Sequence, residues 1–103
     1  MEIINDMEFG PKVKESSKPV LVDFFATWCG PCRQMLPIVT EISEEMSDIA
    51  VYKMDVDEAP NTPETLDIQS LPTLIIFKDG KEIARKTGPM LKSELTTWIK
   101  SNI

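Results

Sequence analysis

The run from Val20 to Val56 constrains this chain more than any other. Pro19-Val20-Leu21-Val22-Asp23-Phe24-Phe25-Ala26 is apolar, β-branched and aromatic almost throughout. That is the pattern of a strand covered on both faces, as in a parallel sheet. Beyond Thr27-Trp28-Cys29-Gly30-Pro31-Cys32, the residues Met35, Leu36, Val39, Ile42 and Met46 recur at spacings of three and four. This spacing predicts an amphipathic helix from Cys32 to Met46, with a kink at the internal Pro37. Ile49 to Val56 reads as a second buried strand, with Lys53 inside it. Strand, helix and strand in this order lay two parallel strands side by side with a right-handed crossover, which commits the chain to the α/β class.

The flanking segments extend that unit. Glu2-Ile3-Ile4 can add a short edge strand, and Phe9 and Val13 sit at helical spacing between Asp6 and Ser16. Gly10-Pro11 lies inside that stretch, so the first helix is expected to begin near Pro11 or to break there. Thr62-Pro63-Glu64 reads as an N-cap followed by proline, opening a short helix to about Leu66. Asp79-Gly80 between Thr73–Phe77 and Glu82–Thr87 is a hairpin signal. Lys92 to Ser101, with Leu95, Trp98 and Ile99 on one face, closes the chain as a helix. The order is β-α-β-α-β-α-β-β-α: one domain over residues 1–103, with a mixed sheet and helices on both faces, a three-layer α/β/α arrangement. A chain of 103 residues buries about two-thirds of its unfolded surface, enough for a single core.

Composition narrows the chemistry. There is no histidine, so a Ser-His-Asp triad, a Cys-His dyad, a histidine shuttle and an imidazole-ligated metal are all excluded. Lys and Arg number 11 against 17 Asp and Glu, a net charge of −6. Such a surface suits neither nucleic acid, which wants clustered Lys and Arg, nor a polybasic membrane contact. Met1-Glu2-Ile3-Ile4-Asn5-Asp6 has no basic, apolar and small-residue succession, so no signal peptide is expected. The expected location is the cytoplasm, where two cysteines tend to be catalytic rather than structural.

Cys29 and Cys32 stand where a buried strand turns into a helix. Residues three apart at a helix start share a face, with Cα atoms about 5–6 Å apart, inside disulfide range. Cys29 precedes the helix, where unpaired amides and the macrodipole favour an anion. It is therefore the expected nucleophile. Cys32, one turn inside and less exposed, is the expected resolving thiol. Three blander readings stand beside this one. A structural disulfide would close too short a loop to remove much unfolded-state entropy. A zinc ion would find only half a ligand set unless two chains shared it. The thiols could also be inert. Asp23, in the middle of an apolar strand, should be partly neutral or paired. Lys53 is the obvious partner, in the simplest case as a structural ion pair.

The segment from Val20 through Trp28-Cys29-Gly30-Pro31-Cys32 resembles the active-site segment of thioredoxins. A Cys-x-x-Cys motif in a βαβ setting is the established mark of that family rather than a deduction from spacing. The similarity continues through Pro37, Lys53-Met54-Asp55-Val56-Asp57, Leu71-Pro72-Thr73-Leu74, Phe77-Lys78-Asp79-Gly80 and Gly88, covering essentially the whole chain. The resemblance implies the thioredoxin fold and reduction of protein disulfides by dithiol–disulfide exchange. It implies that Asp23 deprotonates Cys32, through water, with Lys53 tuning it. Trp28 becomes a partly exposed cover beside the active thiol, and Trp98 stays core. Pro72 becomes cis and packs against the disulfide, freeing the Leu71 backbone to pair with an extended substrate segment. Leu71, Pro72 and Thr73, with Trp28, Gly30, Pro31, Gly88 and Pro89, would form a shallow substrate rim.

The implied partners are thioredoxin reductase, drawing on NADPH or ferredoxin, and disulfide-containing substrate proteins. No bound cofactor and no metal are expected, and the chain should be a monomer. Gly30 and Pro31 carry no charge that would stabilise the reduced thiolate, which favours a reducing couple over an oxidase or isomerase. The rival from another class is a non-redox binding or holdase subunit, for which both cysteines would be dispensable. The sequence departs from the family at Phe25, where many members carry a second tryptophan. Leu66, the proline-rich Pro60–Pro63 stretch and Gly10-Pro11 are further departures.

Overall fold

A computed structural model describes residues 1–103. The elements run β1 Glu2–Ile3, α1 Asp6–Phe9, a π-helical turn Gly10–Lys14, β2 Val20–Phe25, α2 Gly30–Glu45, β3 Ala50–Asp55, α3 Asn61–Thr65, β4 Thr73–Lys78, β5 Lys81–Thr87 and α4 Lys92–Asn102. The sheet order is β1-β3-β2-β4-β5. β1, β3 and β2 are mutually parallel, while β4 and β5 pair antiparallel.

Alternation along the central strands divides the core in two. Val20, Val22 and Phe24 of β2, with Ile75 and Phe77 of β4, face Phe9, Val13 and Ala59. Leu21, Leu74 and Ile76 face Met35, Val39 and Ile42 of α2 and Leu95 and Ile99 of α4. Period-two alternation in a sheet sandwiched between helices produces this division. It also sends Asp23 to the α2 side of the sheet. No helix is long and apolar enough to cross a membrane.

Two helix starts differ from expectation. The first helix begins at Asp6, where the Asn5 side chain and Glu8 form a reciprocal capping box. The α-helix does stop at Phe9, before Gly10-Pro11, but the chain stays helical there. Pro11 has no amide for the carbonyl four residues back, and the chain widens there into a π turn, closed by the Glu15 amide donating to the Gly10 carbonyl at 3.1 Å. Thr62 does not cap α3, whose N-cap is Pro60 with no side-chain cap of its own. The Asp6 carboxylate supplies the cap from across the fold, accepting from Asn61 N at 3.0 Å and Thr62 N at 2.8 Å. Pro37 sits on the exposed side of α2, within a single helix from Gly30 to Glu45. Asp79 and Gly80 both take positive φ, 53° and 79°, as a two-residue hairpin loop requires.

Candidate active site

Cys29 is the N-cap residue of α2, and its sulfur accepts the Cys32 amide at 3.2 Å. The two cysteines are disulfide-bonded, with Cα atoms 5.2 Å apart. Pro31 falls in the first turn of α2, where its missing amide would have had no partner in any case.

The expected difference in exposure between the two cysteines is absent. Cys29 is 5% and Cys32 4% exposed, because the bonded pair is tucked against Ala26, Phe25, Val56 and Leu71. The asymmetry is one of direction instead. Cys29 lines a groove of about 480 Å³ that Cys32 does not reach, and Cys32 lines a separate cavity of about 220 Å³ that Cys29 does not reach.

Asp23 lines the Cys32 cavity together with Phe25, Arg33 and Leu36. It is buried, and its Oδ1 has no hydrogen-bond partner. Burial pushes its pKa from 3.8 up to about 7, and the nearby positive charge of Lys53 pulls the other way without cancelling it. Lys53 does register opposite Asp23 on the neighbouring strand. It is only half-buried, however, and the two form no ion pair. Its ammonium lies 5.7 Å from the centre of the Phe25 ring, within cation–π range.

The groove runs along the Cys29 side. Trp28, 69% exposed, forms one wall, and its indole N–H donates to Asp57 at 2.9 Å. Gly30, Pro31 and Leu71 also line it, as expected from the sequence. The Leu71–Pro72 bond is cis and Pro72 is buried. No backbone hydrogen bond engages Leu71, whose amide and carbonyl stay unpaired beside Cys29.

Four residues of the expected rim do not line this groove, the buried Pro72 among them. Thr73 is 1% exposed, and its hydroxyl turns inward to the Ser70 carbonyl at 2.6 Å. Gly88 is tied by its amide to the Pro72 carbonyl at 2.9 Å and does not line the groove. Pro89 lines a different cavity, with Met35 and Met90. The groove instead recruits Val56, Pro63, Ile68, Gln69 and Ser70. The available signal for the last three was their non-periodic run directly before Leu71-Pro72. Trp98 is half-buried against the α2–α4 core.

Comparison with known proteins agrees with this geometry. The family model described as Thioredoxin matches residues 1–101. A thioredoxin of Rickettsia typhi is 44% identical over 101 residues, covering 97% of this chain and 96% of the relative. One of Acidithiobacillus ferridurans is 46% identical, covering 97% and 94%, and one of Mycobacterium bovis 46% identical, covering 89% and 80%. A cysteine pair bonded across the first turn of α2, a three-layer α/β/α fold and these matches together show that the chain belongs to the thioredoxin family, the thiol–disulfide oxidoreductases that reduce protein disulfides.

Proposed function

We propose that Cys29 is the attacking thiol, Cys32 the resolving thiol and Asp23 the group that moves Cys32's proton. The observation that carries this assignment is the hydrogen bond from the Cys32 amide to the Cys29 sulfur at the N-cap of α2. Such a donor, backed by the helix macrodipole, favours a negatively charged sulfur at that position.

In the reductive cycle the Cys29 thiolate attacks one sulfur of a substrate disulfide. The substrate S–S bond breaks, a Cys29–substrate mixed disulfide forms, and the first substrate thiolate leaves and takes a proton from solvent. Asp23 then accepts the Cys32 proton through water, since a carboxyl with a pKa of about 7 exchanges protons readily near neutrality. The Cys32 thiolate attacks the Cys29 sulfur, expels the second substrate thiolate and leaves the Cys29–Cys32 disulfide. Two electrons have passed to the substrate, and the proton on Asp23 returns to solvent or to the departing thiolate. Lys53 tunes Asp23 by its charge at a distance.

The groove beside Cys29 binds an extended stretch of substrate protein. The unpaired Leu71 amide and carbonyl would form a short β-type ladder with it. Trp28, Gly30 and Pro31 would supply apolar contact that asks little of the substrate sequence. Thioredoxin reductase, drawing on NADPH or ferredoxin, would return two electrons to the disulfide, and the cytoplasm is the proposed location.

The test is insulin reduction followed by turbidity, with dithiothreitol as the electron source. The wild type should accelerate precipitation, and Cys29→Ser should abolish the acceleration. Cys32→Ser should instead accumulate a covalent adduct with insulin. An adduct forming through Cys32 in the Cys29→Ser protein would reverse the assigned roles.

A further inference from the structure

The groove's far edge, Ile68 to Leu71, lacks regular secondary structure, and its amides beyond Ile68 make no backbone hydrogen bonds. Something must nonetheless hold it at a fixed height above Cys29. The Thr73 hydroxyl fastens one end at the Ser70 carbonyl. The other end follows α3, a helix of only five residues whose C-cap is Leu66, and then Asp67 in the left-handed region at φ 56°.

That second end is held from β5. Arg85 donates through Nη2 to the Leu66 carbonyl at 2.8 Å and through Nη1 to the Asp67 carbonyl at 3.4 Å. These are carbonyls a helix C-terminus leaves without partners, and a cation suits them. The guanidinium is itself fixed by Glu82, with Nε and Nη2 each 2.7 Å from a carboxylate oxygen.

In a regular strand, residues three apart point to opposite faces and could not pair in this way. Here the register slips between Ile76 and Phe77: Phe77 pairs with Glu82 and Ile76 with Ala84. The slip leaves Ile83 over as the extra, exposed residue of a bulge, and a bulge re-aims its neighbours. Glu82 and Arg85 thereby share a face.

We propose that the Glu82–Arg85 pair is the brace that sets the Ile68–Leu71 edge of the groove, making Arg85 a positioning residue for protein disulfides that touches neither cysteine. The proposal rests on the reading of the groove as the substrate-docking surface. It separates docking from chemistry: loss of the brace lets the edge wander and weakens binding of an extended chain. A small disulfide, which needs only the Cys29 sulfur, is indifferent to it.

The test compares insulin with 2-hydroxyethyl disulfide as substrates for Arg85→Gln, Arg85→Lys and Glu82→Gln, with Ile68→Ser as the control on the groove itself. Arg85→Gln should raise KM for insulin about five- to tenfold while kcat stays within about twofold. Its rate with 2-hydroxyethyl disulfide should also stay within about twofold, and exchange of the Ile68 amide, which donates to the Pro63 carbonyl at 2.9 Å, should quicken. Arg85→Lys, which cannot reproduce the fork, and Glu82→Gln should show smaller shifts in the same direction, and they decide the matter if Arg85→Gln does not fold. Equal slowing toward both substrates overturns the proposal. So does an unchanged insulin KM in Arg85→Gln when Ile68→Ser raises it, a result that leaves the docking reading standing. If Ile68→Ser does not raise it either, the docking reading fails and the brace with it.

Discussion

Asp23 and Cys32 line one cavity of about 220 Å³ from which Cys29 is absent. The carboxyl there has one oxygen with no partner and a pKa raised from 3.8 to about 7. The folded protein therefore holds this proton more tightly than the unfolded chain does. Below pH 3.8 both states are protonated and burial of Asp23 carries no ionisation penalty. Between 3.8 and about 7 the unfolded chain ionises first, and stability falls as pH rises. Above about 7 the full cost, about 4 kcal/mol at ~1.36 kcal/mol per pH unit, is in place. Asp23→Ala should thus stabilise the oxidised protein at pH 8 by about 2–4 kcal/mol, less whatever its small cavity loses, and the gain should vanish toward pH 3. Denaturant titrations at the two pH values measure it. The same variant should resolve mixed disulfides more slowly at pH 7, and an unchanged pH profile of Cys32 reactivity would remove Asp23 from the proton path.

Asp6 is the opposite case. Burial works against its ionisation, but the hydrogen bonds from Thr62 and Asn61 outweigh it and hold the carboxyl below 3.8. Its contribution is present above the unfolded pKa and is lost as pH falls through the folded one. The side chain joins α1 to the start of α3, so Asp6→Ala should cost about 1 kcal/mol, the usual value of a lost cap. The cost should be seen in thermal unfolding at pH 7 and should shrink below pH 3.

The contrast between Asp23 and Asp6 also marks how far the sequence could be read. Asp23 was legible because a carboxylate stands out in an apolar strand, and the strand's direction toward Cys29 and Cys32 placed it near them. Asp6 was not, because its partners lie 55 and 56 positions away and no local pattern distinguishes a distant cap from a solvated first-turn carboxylate. The β-α-β frame, the hairpin and the cysteine pair rest on periodicity and turn chemistry, which are local. The Lys53–Asp23 pairing rested on adjacency of two strands, which sets Cα register but not where a long side chain ends; the Lys53 ammonium lies by the Phe25 ring and no ion pair forms. Ile68, Gln69 and Ser70 belong to the groove through the turn after α3 and its clamp by Arg85, and a strand-parity reading of Glu82 and Arg85 puts them on opposite faces unless the bulge is known.

Gly80 and Gly88 both adopt positive φ, 79° and 84°, but their surroundings differ. A Cβ at Gly80 would come within 2.7 Å of the Lys14 carbonyl oxygen, whereas one at Gly88 would meet nothing within 4 Å. The left-handed conformation alone costs a side chain about 1–2 kcal/mol. Gly88→Ala should therefore lose about that much, and Gly80→Ala about 3 kcal/mol or more, because the hairpin must also move off the π turn. Urea denaturation of the two variants gives the comparison, and equal losses would show that the hairpin gives way without cost.

Pro31 lies in the first turn of α2 and lines the groove beside Cys29. It carries no charge; under the proposed assignment the reduced Cys29 thiolate would rely on the Cys32 amide, which already donates to this sulfur in the disulfide, and on the helix terminus. A histidine in its place could carry a positive charge next to that thiolate. It would then stabilise the dithiol form relative to the disulfide, which has no charge to benefit. Pro31→His should therefore shift the equilibrium with a glutathione buffer at pH 7 toward the reduced protein by about tenfold or more, equivalent to about 30 mV for a two-electron couple. The shift should shrink above pH 8 as the imidazole loses its proton. Alkylation of free thiols after equilibration reads the ratio directly. A variant that stays as oxidisable as the wild type would mean that the backbone donors already saturate the stabilisation of the Cys29 thiolate, and that the neutral residue between the cysteines does not set the reducing direction.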